Sequence, residues 1–95
     1  PRQRYVRAHP TRAWLLIEVA DSSLRQDRVL KAEIYAEAGV PEYWMVDVAR
    51  GAVEVRTEPV AGQYGRLVTI ARGESIALVA FPDVTVAVDD FLPPA

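Results

Sequence analysis

Bulky apolar residues run unbroken from Trp14 to Ile17 and resume at Val19, with Glu18 as the single interruption. A near-continuous apolar run over residues 13–20 predicts a strand covered on both faces. Asp21-Ser22-Ser23 ends it. Ser23 and Gln26 have the spacing of a capping box, in which each side chain satisfies a backbone N–H at a helix start. The pattern therefore predicts a helix over 24–38, a stretch without Gly or Pro. Its apolar face is broad: Leu24, Val29, Leu30, Ile34, Tyr35 and Ala38. Gly39 suits the position just past the helix end, and Pro41 forbids continuation. Glu42–Val48 reads as a second buried strand, with Tyr43, Trp44 and Met45 expected in the core beside Trp14.

The period then changes. Val53 and Val55 alternate with Glu54 and Arg56, so Ala52–Thr57 reads as a half-exposed strand. Pro59–Gly65 is rich in turn residues and reads as a loop. Leu67–Ala71, Ser75–Val79 and Val84–Val88 read as further strands, broken by Arg72-Gly73-Glu74 and Pro82-Asp83. Asp89–Leu92 has room for one helical turn before Pro93. This order predicts an α/β chain of the α+β kind. One main helix lies on a mixed sheet, antiparallel strands follow, and residues 1–95 form a single domain.

Composition narrows the chemistry. The chain has no cysteine and one histidine, His9. Disulfides, thiol nucleophiles, zinc ribbons and multi-histidine metal sites are excluded within it. No apolar stretch approaches the roughly 18 residues of a membrane helix, and no secretory signal is visible, so a cytoplasmic location is expected. The net charge of -2 gives no overall basic field. Arg2, Arg4, Arg7 and Arg12 nevertheless form an acid-free basic arm, either a phosphate-contacting segment or a solvated connection. The eleven basic residues are arginines except for Lys31.

Glu18 is the costly position. A carboxylate inside a buried strand needs a cation, a metal or hydrogen-bond donors. Strand alternation puts it on one face with Trp14, Leu16 and Ala20. On the following helix, Asp27, Lys31 and Tyr35 are spaced four apart and form one stripe. Glu18 and this stripe can converge. One outcome is a structural Glu18–Lys31 pair supported by Asp27. The other is a phosphodiesterase site, where a carboxylate holds Mg²⁺ and lysine steadies developing charge. Ser22 and Ser23 are better explained as helix caps than as nucleophiles, because no Gly-x-Ser-x-Gly elbow is present. Gly62–Gly65 reads as a hairpin turn, and Asp47 as the start of the turn to Gly51.

Several stretches occur together at fixed spacing. They are Glu18–Leu24, Asp27-Arg28, Lys31, Tyr35-Ala36, Ala38–Trp44 and Val46-Asp47. The segment 14–47 resembles the Uma2 family of endonuclease-like proteins (DUF820), of the PD-(D/E)xK restriction-endonuclease-like superfamily. The resemblance implies a Mg²⁺- or Mn²⁺-dependent endonuclease acting on DNA. Glu18 matches the superfamily's second acid, which is a metal ligand. Position 20 is alanine where the superfamily pattern has lysine, and Lys31 matches the place on the next helix to which the lysine has moved. Asp27 and Tyr35 match supporting positions. The first Asp of the pattern belongs to an upstream Pro-Asp strand; Pro82-Asp83 has the letters in the wrong place. The resemblance thus implies that the N-terminal part of the fold precedes this chain, and that the fragment is catalytically incomplete. The competing expectation is a non-catalytic nucleic-acid-binding or protein-interaction module on a degenerate nuclease fold. An incomplete sheet also exposes an edge, which favours a homo-oligomer.

Overall fold

The computed structural model describes residues 14–20 and 25–93; for Ala20 and residues 25–28 it describes the backbone alone. The elements, in order, are β1 (Leu15–Ala20), α1 (Arg25–Glu37), β2 (Glu42–Asp47), β3 (Ala52–Val60), β4 (Gln63–Ala71), β5 (Ser75–Ala77) and β6 (Thr85–Ala87). A 3-10 turn over Val88–Phe91 closes the described chain. The Ser23–Gln26 capping box lies outside the described side chains. The expected α+β architecture is present, as a four-stranded mixed sheet and a small antiparallel pair, β5–β6.

The sheet order is β1-β2-β3-β4. β1 and β2 are parallel, with Glu18 in register with Met45, while β2–β3 and β3–β4 are antiparallel. Parallel neighbours need a crossover, and α1 supplies it. Its C-terminus uses the hydrogen bonds that residues 39–41 predict. The Gly39 N–H donates to the Ala36 carbonyl at 3.0 Å and the Val40 N–H to the Tyr35 carbonyl at 3.1 Å. This double closure needs a left-handed residue after the helix, and Gly39 has φ 81°.

Alternation along β2 divides the interior in two. Tyr43 and Met45 join Leu16, Ala32 and Val40 beneath α1. Trp44 and Val46 join Val53, Val55, Ile76, Val88 and Leu92 on the opposite face. The helix and the C-terminal strands therefore cover different faces of one sheet.

Two expectations are corrected. β1 is covered on both faces over most of its length, Leu15 and Ile17 packing on the Trp44 side and Leu16 and Glu18 lying beneath α1. Among the described residues, however, it is the sheet's edge, Val19 is exposed, and Trp14 is 64% exposed rather than in the core, its ring meeting that of Phe81 edge-on. The stretch 59–65 is not a loop. β3 and β4 run into a tight hairpin at Ala61-Gly62, both in the left-handed region (φ 52° and 78°). Two positive-φ residues give the backbone twist that antiparallel strands favour, and here an alanine accepts it. Among the described residues no helix is long and apolar enough to cross a membrane.

A Cβ added at Gly39 meets nothing within 4 Å, so the cost of Gly39→Ala is that of its backbone conformation alone. We expect a loss of about 1–2 kcal/mol in urea unfolding, without a change in fold.

Candidate active site

Glu18 sits in the middle of β1, on the face beneath α1, and is 4% exposed. Its carboxylate is surrounded by donors from two elements. The Tyr35 hydroxyl on α1 donates to Oε2 at 2.6 Å. The Tyr43 hydroxyl on β2 donates to Oε1 at 3.1 Å. Lys31 Nζ on α1 lies 3.4 Å from the same Oε1.

These contacts differ in kind. The Tyr35 bond is short, as expected for a hydroxyl donating to an ionised acceptor. The Lys31 separation is longer than a good N–H···O bond, and the Lys31 side chain is 34% exposed. The ammonium is therefore the solvent-facing member of the group. It compensates the carboxylate charge from the more exposed side of the group. The phenols are the fixed members.

The spacing of Lys31 and Tyr35 explains their convergence. Four residues is one helical turn, so both side chains leave α1 on the same side. Glu18, Lys31 and Tyr35 are thus brought together as the sequence predicts. The side chain of Asp27, and all of Arg2, Arg4, Arg7, Arg12 and His9, lie outside the described residues. Asp47 Oδ1 accepts the Arg50 N–H at 3.2 Å, as expected of a turn-forming residue.

Tyr43 is the member that sequence reasoning missed. It was expected in the core, and it is fully buried, but its hydroxyl reaches Glu18. The available signal was positional: an acid buried in β1 requires donors from the strand beside it. Tyr43 is also packed on both sides. The Tyr35 ring meets it edge-on at 5.0 Å and the Tyr64 ring stacks at 6.3 Å. The Arg56 guanidinium lies 5.9 Å from its centroid and is itself held by Glu54 at 3.1 Å. Tyr64 is tied down by donating to the Val40 carbonyl at 2.8 Å. Burial, reinforced by the Glu18 charge, raises the Tyr43 pKa far above its ordinary value. Burial likewise raises that of Tyr64, against the opposing charge of Arg56. Both phenols therefore stay protonated as hydrogen-bond donors.

For a metal, the donor set is sparse. Among the described residues no group of three or more His, Cys, Asp or Glu side chains gathers at one point. Glu18 Oε2 accepts one hydrogen bond, and a carboxylate oxygen has room for two. One protein ligand of this kind is compatible with Mg²⁺, which commonly takes its remaining oxygens from phosphate and water.

The Uma2 family, whose description reads "Putative restriction endonuclease", matches residues 2–89 of the 95-residue chain. The chain belongs to this family, and the α+β architecture fits a restriction-endonuclease-like fold. Membership supports a nuclease-type function. Comparison with curated proteins and with solved structures returns no match.

The raised phenol pKa values set an alkaline limit on stability. A phenol whose folded pKa lies above its unfolded value contributes stability in full below the unfolded value of 10.0. That contribution is lost as pH rises through the folded value. Urea unfolding should thus be insensitive to these groups near neutrality and weaken above pH 10.0. There the folded chain should show fewer than four ionised tyrosines by phenolate absorbance, with urea releasing the rest.

Proposed function

We infer that this Uma2-family chain carries the acid and the lysine of an endonuclease that hydrolyses phosphodiester bonds of DNA. The observation that supports it is the Glu18–Lys31 arrangement: a buried, donor-held carboxylate with a half-exposed ammonium 3.4 Å away. The Lys31 side chain is 34% exposed, and its positive charge lies at the rim of the buried Glu18 group. Lysine suits this role because its charge is compact and its pKa adjustable, whereas arginine stays protonated. Tyr35 and Tyr43 hold the carboxylate in orientation. Asp27, one turn before Lys31, is proposed as a supporting residue. Arg2, Arg4, Arg7 and Arg12 are proposed to contact DNA phosphates outside the catalytic centre. Mg²⁺ or Mn²⁺, held by Glu18, would polarise the phosphate and lower the pKa of a bound water. The proposed setting is the cytoplasm, and pairing along the β1 edge is the proposed route to a homo-oligomer.

A second reading is favoured by the sparse donor set. Among the described residues no group of three or more His, Cys, Asp or Glu side chains gathers at Glu18. On that reading the fold binds nucleic acid or protein without cutting. Steeply salt-dependent DNA binding without metal-dependent cleavage would mark it.

Incubation with DNA and Mg²⁺ or Mn²⁺ separates the two. Cleavage should fall by at least about a hundredfold in Glu18→Ala and in Lys31→Ala, the scale of losing one transition-state contact. Lys31→Arg should keep the charge and not restore the rate. Variants that cut as well as the parent would contradict the assignment.

A further inference from the structure

The sheet buries a second acid that the nuclease reading does not use. Glu42 opens β2 and is 2% exposed. Alternation puts it with Trp44 and Val46, on the face opposite Glu18. Its carboxylate accepts two neutral donors, the Trp44 indole N–H at 2.8 Å and the Val79 backbone N–H at 2.8 Å. Among the described residues no cation pairs with it. A buried carboxylate without a counter-charge is costly, which makes a cation the missing partner.

Glu42 lines a groove of about 370 Å³ between β3–β4 and β5. This is the size range of small-ligand pockets. Val55, Val68, Ile70 and Ile76 supply apolar walls. Thr57, in register with Glu42, lines the same groove and is 9% exposed. Among the described residues its hydroxyl has no hydrogen-bond partner. A buried hydroxyl without a partner is as unusual as a buried acid without a cation. The two occur side by side and line one cavity. Glu58 and Arg66 also line it with opposite charges, so Glu42 leaves the lining net negative.

We propose that this groove is a binding site for a small aliphatic ammonium ligand. Its N–H donors go to the Glu42 carboxylate and the Thr57 hydroxyl, and its alkyl chain lies against the valine and isoleucine walls. The charge selects a cation, the walls select an aliphatic body, and the volume limits the ligand to a few carbons. The site does not depend on the nuclease reading, because it shares no residue with the Glu18 group.

The test is titration of the protein with n-butylammonium, followed by the amide resonance of Val79 and the indole N–H resonance of Trp44. Both groups donate to Glu42 and report on it directly. Both signals should shift saturably at millimolar ligand, and n-butanol and n-butyrate should leave them in place. Thr57→Val removes a hydroxyl that has no partner in the described fold. It should leave stability unchanged or raised, yet weaken binding about tenfold or more. Ala77→Trp, at an exposed position of β5 that lines the groove, should block it while leaving the buried Ile76 in place. Absence of a saturable shift, equal shifts with n-butanol, or unchanged binding in both variants would overturn the proposal.

Discussion

An ionised carboxylate inside an apolar layer must be given donors, and Glu18 imposes that requirement on the helix side of this sheet. It sits on an edge strand, where one flank has no neighbouring strand among the described residues. The donors therefore come from above and from the single neighbouring strand. α1 contributes Lys31 and Tyr35 one turn apart, and β2 contributes Tyr43. Much of the remaining packing on this face serves to hold those three. Tyr64 stacks on Tyr43 and anchors to the Val40 carbonyl just past the helix end. Gly39 closes α1 so that the chain can enter β2 in register with β1.

The opposite face answers the same requirement differently. Glu42 is as deeply buried as Glu18 but receives neutral donors only, from an indole and a backbone amide. The Val79 bond ties the segment after β5 to the start of β2, so the C-terminal layer is fastened to the sheet through this acid. Two carboxylates on adjacent strands thus mark two faces. One is compensated by an ammonium; the other faces a groove that lacks one.

The sequence made the element order and the convergence of Glu18, Lys31 and Tyr35 legible, because helical and strand periodicities fix which side chains share a face. Those periodicities are local. They give no access to which strand lies at an edge or where its cover stops, so Trp14 read as core although the layer that buries Leu15 and Ile17 does not reach over it. Nor do they separate a hydroxyl that only fills space from one that also bonds an acid, which is why Tyr43 read as packing. Glu42 was overlooked for a related reason. An acid at the first position of a strand looks like a boundary residue until the segment carrying Val79 is known to cross over it. The hairpin turn read at Gly62–Gly65 lies one residue earlier, at Ala61-Gly62, because alanine seldom takes the left-handed conformation it has there.

The central claim is that Tyr43 and Glu18 act as one unit across β1 and β2. A double-mutant cycle in urea unfolding, with Glu18→Gln, Tyr43→Phe and both together, measures that coupling most directly. The account predicts an interaction energy of about 1–3 kcal/mol, the scale of a hydrogen bond to a buried charged group. Additive effects of the two substitutions would contradict it.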